Sequence, residues 1–496
     1  MLGSRGIAWK GASLLTEALK AFFVSPNSAD ADLNNDRETL ALRSRALFQN
    51  NDFSGALISS IDVKVVGNGI HARPIVDHEL LGIDKECAEK WANVVQKYFD
   101  LWADNKSCDS ENKNDFYQLQ DLGLKTELIT GDCFGLSSYN SKNPFGLKIK
   151  LLEGDRCRQP WGVQATDRLA MGIEVDKVGA PVLYYFTKKP VWGIDAVSDY
   201  CDYKAIPAVD SLGAQNVIHA FSSDRPDQRR GVPFLAPIVS QLKQQERYQD
   251  AELMAAVVSS MFTVFITSND AAPNEFLGNV EDDMRVARNA CELAPGGIAT
   301  LASGEDVKFA DPKRPNANYS PFIDGIFRGA AASRGLSAEQ VLRQFNSSYN
   351  AVRAAILEAK KTYEKIKYNF VADFCQPIYE KFLTACVAQG LVRAEGYFDD
   401  PIKHLLWNSC RWDSDAGFML DPTKETQAII MQLDNQLIDR DTACRKIGGV
   451  EYSVVAAKLA EERKIRTDLG LTEPGSVSRT ESTSVQVDDN NGNNEN

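Results

Sequence analysis

The 496-residue chain has no GxxxxGK[ST] phosphate loop, and so no recognisable centre for ATP hydrolysis. It has four histidines, His71, His78, His219 and His404, none of them at metal-ligand spacing, and HExxH is absent. Ten cysteines, at 87, 108, 133, 157, 201, 291, 375, 386, 410 and 444, are scattered without a CxxC pair. That pattern fits reduced thiols in a cytosolic setting and argues against a zinc site. There is no GxSxG elbow, no cysteine in a catalytic context, and no acidic pair that stands out from an even spread of carboxylates. No apolar run reaches the roughly 20 residues a bilayer requires. The most apolar one, from Leu253 to Ile266, is interrupted by Ser259, Ser260 and Thr263. Near the start, Leu14, Leu15, Leu19, Phe22 and Phe23 alternate with Glu17 and Lys20, which reads as an amphipathic helix rather than a secretory signal. Positive charge is also in deficit, with 55 Lys and Arg against 68 Asp and Glu, a net charge of −13. A chain that grips a polyanion needs the opposite balance, whereas one that lets a polyanion pass is served by this one. These absences argue against an enzyme, a resident cofactor or metal, and a membrane span.

What is present is an α+β chain long enough for two to four domains. Everything is arranged around residues 216–266. A short apolar strand, Val217 to Phe221, leads through an arginine-bearing loop to a helix that starts behind Pro233 and Pro237, which suit a first turn. From Lys243 to Asp250 that helix reads KQQERYQD, polar on almost every face, so Lys243, Gln244, Glu246, Arg247, Gln249 and Asp250 are expected to meet other subunits or solvent.

Before this centre, residues 1–35 read as a small helix and a linker, SPNSADADLNND. Helical spacing follows through Leu40, Ala41, Leu47 and Phe48, and then a strand in which Ile61, Val63 and Val65 alternate with Asp62 and Lys64, closed by the turn at Gly67. Arg37, Arg43 and Arg45 have two readings, phosphate contacts or the solvated face of the helix. His219 is read as a satisfied strand-end histidine rather than a ligand, despite Asp224 and Asp227 nearby. Helices are expected over about 85–103 and after Asp115. Period-two patterns at Leu147, Ile149 and Leu151, at Ile173 and Val175, and over Pro181 to Phe186 predict antiparallel hairpins with no βαβ rhythm.

After the centre, residues 268–317 read as a small lobe in which Ile298 to Leu301 pairs with Val307 to Phe309. A helix over about 320–335 and a polar connector, LSAEQVLRQFNSSYN, follow. Val352, Ile356, Ala359, Tyr363, Ile366, Phe370 and Phe374 then step by three or four, and after Pro377 the stripe resumes at Ile378 and Phe382. This predicts a kinked helix of about 40 residues, roughly 60 Å long. Further helices are expected through Ile429 to Leu437 and over 454–463, and a disordered tail from about Glu473.

Several of these strings resemble the lambda-like portal family of tailed bacteriophages. They are RSRALFQNNDFSGALISSIDVKVVGNGI, NVIHAFSSDRPDQRRGVPFLAPIV, LAPGGIATLASGEDVKF, NSSYNAVRAAILEAKK and DPTKETQA. The likeness spans about residues 37–470. It implies a portal fold with a helix-rich wing and crown, paired stem helices and a small α/β clip. By position, 1–35 would be an N-terminal helix and linker, 36–232 wing, 233–262 a stem helix, 263–317 clip and 318–335 the second stem helix. The tunnel loop would be 336–349, the kinked helix and wing return 350–421, the crown 422–470 and a disordered tail 471–496. Arg343, Gln344, Phe345, Asn346, Ser347, Ser348 and Tyr349 would then line a channel for double-stranded DNA. The resemblance further implies a ring, typically a dodecamer, at one capsid vertex of the virion, assembled in the host cytoplasm. Its partners would be the terminase large subunit, the major capsid or scaffold protein and a head-tail adaptor. Two other readings remain open at this level, a non-ring minor capsid or adaptor protein and a metal-dependent nuclease.

Overall fold

The computed structural model describes Glu17, Ala21, Phe22 and residues 25–471, apart from 141–142, 190–201, 211–212, 262–264, 269–304, 309–318, 346–347, 415–421 and 449–451. The chain divides into two compact units, 1–412 and 413–496. The tail beyond 473 and the Ile298 to Leu301 half of the expected hairpin lie outside the described residues.

In the first unit, α1 spans Ala29–Asn50, with Ser28 Oγ accepting from the Ala31 amide at 3.2 Å and Asp30 and Asp32 in the first turn. The stretch expected to be a linker therefore forms the cap and opening turns of this helix. Ser, Asn and Asp favour loops, but they favour helix starts for the same hydrogen-bonding reason. Asn51 closes α1 and caps α2, Asp52–Val65, accepting from the Ser54 amide at 3.0 Å. The strand expected at Ile61 to Val65 is thus the end of a helix. Phe53, Leu57, Ile58, Ile61 and Val65 form one buried face, and Val63 points outward at 61% exposure. A five-residue alternation mimics a strand when the longer three-and-four spacing around it is ignored.

Strand β1, Ile70–Pro74, and the single-turn α3, His78–Leu81, lead to α4, Lys85–Ala103, capped by Asp84. Helix α5, Phe116–Thr130, starts with a reciprocal capping box between Asp115 and Gln118. As the period-two patterns require, antiparallel sheets follow. Strand β2 (Asp132–Tyr139) lies between β3 (Leu147–Glu153) and β8 (Val217–Phe221), and β4 (Leu169–Ala170), β5 (Ile173–Val175), β6 (Pro181–Thr187) and β7 (Tyr203–Pro207) form a second sheet in sequence order.

The central helix α6, Val239–Met261, follows a 3₁₀ turn at Ala236–Ile238. Strands β9 (Phe265–Ser268) and β10 (Glu305–Lys308) pair antiparallel with Val307 opposite Ile266. The described partner of Val307 thus comes from the chain directly after α6. Helix α7 spans Tyr319–Ser333, α8 Ala338–Leu342 and α9 Tyr349–Phe370. A π-helical segment, Val371–Cys375, joins α9 to α10, Gln376–Ala388. The interruption expected at Pro377 sits just upstream of it, in Val371–Cys375. Proline has no N–H to return to the carbonyl four residues earlier, and the wider π turn absorbs the missing bond. Then come α11, Pro401–Trp407, and the strand β11, Cys410–Ser414, within which the first unit ends.

Two cores hold the unit together. The larger centres on Phe99, which meets Trp102, Phe116, Tyr379 and Phe382 with ring centroids 5.2 to 5.6 Å apart. The smaller one, Phe134, Tyr184 and Phe186 with Ile173, Val175 and Val217, lies between the two antiparallel sheets. The second unit contains α12 (Pro422–Asp434), α13 (Arg440–Gly448) and α14 (Tyr452–Asp468). The middle helix was not evident in the sequence, because RDTACRKIG offers too few apolar residues to show a stripe.

Candidate functional site

The start of α6 is set by a buried ionic node. Asp132, the first residue of β2, is fully buried and receives Arg37 from α1, Arg230 from the loop before α6 (Nε to Oδ2, 3.2 Å) and His219 from β8 (Nε2 to Oδ1, 2.7 Å). The Gly231 amide donates to the same Oδ1 at 2.8 Å. Arg230 also donates to the carbonyls of Cys157, Met171 and Gly154 at 2.7 to 2.9 Å, tying both sheets to one side chain. Burial acts to raise the Asp132 carboxyl, but Arg230, Arg37 and His219 outweigh it and hold the group far below the usual carboxylate range. Burial pushes His219 below its ordinary value even beside Asp132.

The chain crossing at the node is equally tight. A Cβ on Gly231 would stand 1.7 Å from the Gly131 carbonyl oxygen, and Gly131 has φ +90°, so only glycine fits both positions. The arginines thought to face solvent or phosphate therefore divide. Arg37 is buried on Asp132, Arg45 pairs with Asp155 at 2.6 Å, and Arg43 is exposed. His219 is structural, as expected from the sequence, but its partner Asp132 lies 87 residues earlier and not in the loop that follows.

Along α6 the polar stretch is less uniform than its sequence indicates. Leu242 and Gln245 are buried, and Gln245 accepts from Asn51 Nδ2 at 3.2 Å while its amide donates to Gln249 at 2.6 Å. Tyr248 packs on Tyr319 and Phe322 of α7, ring centroids 5.8 and 5.2 Å apart. Lys243, Gln244, Arg247 and Asp250 are exposed, and Glu246 is half-buried in an ion pair with Lys243 at 2.8 Å. One turn further the character changes. Leu253 and Met254 are 66% and 63% exposed, and Phe322 on α7 is 53% exposed. In the sequence that run shows only as too short to span a membrane, and nothing there marks it as a surface.

The polar connector after α7 holds a short helix in place of a loop. Leu336, Ala338 and Val341 belong to the main core, and Gln340 is buried and accepts from the Tyr363 hydroxyl at 3.5 Å. Two apolar positions three apart, Ala338 and Val341, suffice to bury one turn, yet are too few to show as a stripe. Arg343 ends α8 in the left-handed region at φ +55°. Arg343, Gln344 and Phe345 are exposed, Asn346 and Ser347 lie outside the described residues, and Ser348 and Tyr349 open α9.

Lys64 of α2 lies 5.2 Å from the Tyr363 ring centroid, and burial and then the Arg343 charge lower its pKa. Two cations thus gather beside an exposed turn, an arrangement that can offset phosphate charge. Among the described residues no group of three or more His, Cys, Asp or Glu could hold a metal ion, and no helix is long and apolar enough to cross a membrane.

Comparison with known proteins adds four findings. The model of the family described as "Phage portal protein, lambda family" matches residues 16–367. The portal protein of Escherichia phage N15 is 23% identical over 474 residues, covering 90% of this chain and 88% of that protein. Portal protein B of Escherichia phage lambda is 22% identical over 458 residues, covering 87% and 84%. A solved structure titled as the neck of a native GTA particle computed with C12 symmetry aligns loosely, with a TM-score of 0.42 and 11% identity over 75% of this chain and 93% of that one.

Proposed function

The chain belongs to the lambda family of phage portal proteins, and from that premise we propose that copies of it close into a ring whose inner surface DNA crosses. Its function is that of a portal, serving DNA packaging and ejection at a capsid vertex. In this reading it is a structural part of that machinery, as membership of the family implies.

The observation that supports a ring best is the exposed apolar surface of Leu253 and Met254 on α6 with Phe322 on α7, two packed helices of one copy. Side chains of that size left in water each forgo roughly 1.5–3 kcal/mol that a neighbour's surface would recover. We assign the subunit contact to this surface together with the exposed Lys243, Gln244, Arg247 and Asp250. In the same proposal, 233–262 and 318–335 are stem helices, 263–317 the clip, 36–232 and 350–421 the wing and its return, and 422–470 the crown. The 336–349 segment serves as the tunnel element, with only 343–349 reaching the channel, because 336–342 is committed to the core.

Charge suits this role. Twelve copies at −13 each carry −156, and a channel within that field repels phosphate and lets DNA slide. Arg343, with Lys64 behind it, would be a local cationic contact in an otherwise repulsive passage. An ATP-hydrolysing terminase docked on the clip would supply the driving force, with a capsid or scaffold protein and a head-tail adaptor as further partners in the virion. Mass measurement and imaging of the purified chain test the proposal, the expected result being a closed ring with a central opening.

A further inference from the structure

A second ionic cluster, on α2 and α5, has no part in the channel reading. Asp62 of α2 is 4% exposed. Lys125 of α5 reaches Asp62 Oδ2 at 3.1 Å and Asp121 Oδ1, one turn back on its own helix, at 2.7 Å. The Asp121 carboxylate lies within hydrogen-bonding reach of Asp62, while Asp62 Oδ1 is buried without a donor. One ammonium cannot neutralise two carboxylates, and two carboxylates cannot hydrogen-bond to each other. A single proton supplies both the missing donor and the missing charge.

We propose that Asp62 holds a proton beneath Lys125 at neutral pH and donates it to Asp121, and that this proton clamps α2 to α5. Burial first, and then Asp121, raise the Asp62 acid to about 7, against the opposing pull of Lys125. Three other helices pack on α2, and their groups named next are engaged with partners other than Asp62. On α1, Arg37 is taken by Asp132. Glu339 of α8 is paired with Arg328, and on α9 Tyr363 lies under Lys64. Because α8 and α9 both pack on α2, the clamp also secures the seat of the turn that carries Arg343.

An acid raised in the folded state from 3.8 to about 7 contributes stability that is complete below about 4 and lost as pH rises through 7. Hydrogen exchange by mass spectrometry on the full-length chain reads this locally, in peptides covering 52–65 and 116–130, after correction for intrinsic exchange. The expected result is a loss of protection on the order of tenfold between about pH 6 and pH 8 in the wild type, and little change in Asp62→Asn. Asp121→Asn moves the loss to lower pH, because it removes a neighbouring negative charge, and Lys125→Met moves it to higher pH. Glu127 and Asp373, raised to about 8 and about 6, titrate in the same range, so the difference between variants is what counts. Identical pH curves in the wild type and Asp121→Asn overturn the proposal even if Asp62→Asn fails to fold. The clamp holds or fails independently of whether rings form.

Discussion

The two ends of α6 put charged and apolar groups under opposite conditions. At the near end, Arg37, Arg230 and His219 converge on Asp132, and most of their hydrogen-bonding capacity is used inside one copy. At the far end, Leu253 and Met254 stand in solvent beside an exposed Phe322. Buried charge here is a device for holding two sheets to the base of a helix. Exposed apolar surface on the same helix is what a neighbouring copy would cover. A helix anchored firmly at one end and uncovered at the other suits a part that must present the same face to each neighbour in turn.

The comparison breaks most severely at the node. Asp132→Ala leaves two arginines buried without their carboxylate and is expected to cost about 3–5 kcal/mol. Denaturant unfolding of the purified chain checks this. Gly231→Ala, which forces a methyl into the Gly131 carbonyl, is expected to abolish soluble expression. Because the Asp132 carboxyl lies far below its ordinary value, the stability it contributes is present above about 4 and fades only in strong acid. The Asp132 carboxylate is therefore expected to bring no loss between pH 8 and pH 5, and the node's only loss there comes from His219, whose depressed value lowers stability as pH falls through 6.5, whereas the Asp62 clamp weakens as pH rises through neutrality.

At the far end the expected effect falls on assembly and not on folding. Leu253→Asp with Met254→Asp changes exposed positions, so monomer stability should move by no more than about 0.5 kcal/mol while ring formation is lost. Size-exclusion chromatography with light scattering separates the two outcomes. Arg343→Ala with Gln344→Ala is a milder test. Rings form normally, but the yield of DNA-filled heads falls, and an unchanged yield would remove these side chains from the channel. Smallest of all, Lys243→Ala removes one exposed pair with Glu246, at about 0.2–0.5 kcal/mol. Truncation after Glu473 is expected to leave ring formation unchanged.

Much of this architecture is legible in the sequence wherever a pattern repeats over enough residues. Helices α4 and α5, the strands around Ile149 and Ile173, and the long stripe of α9 and α10 all announce themselves through spacing and caps. Short elements do not. Five alternating residues at the end of α2 imitate a strand, and α8 buries itself with two apolar side chains three apart. The node was invisible for a different reason. Arg37, Asp132, His219 and Arg230 lie far apart along the chain, and nothing local in the sequence distinguishes a buried arginine from a solvated one. At the candidate contact surface, composition drew attention to the polar stretch 243–250, while the bare apolar residues just beyond it emerged only once α7 was seen beside α6.

The central claim is that α6 and α7 are completed by identical copies around an opening, and the mass and image of the purified full-length chain test it most directly. A closed annulus near twelve times 54.8 kDa, dispersed to monomers by Leu253→Asp with Met254→Asp, is the predicted result. A wild-type chain that stays monomeric at every concentration, with Leu253 and Met254 still open to solvent, would contradict it.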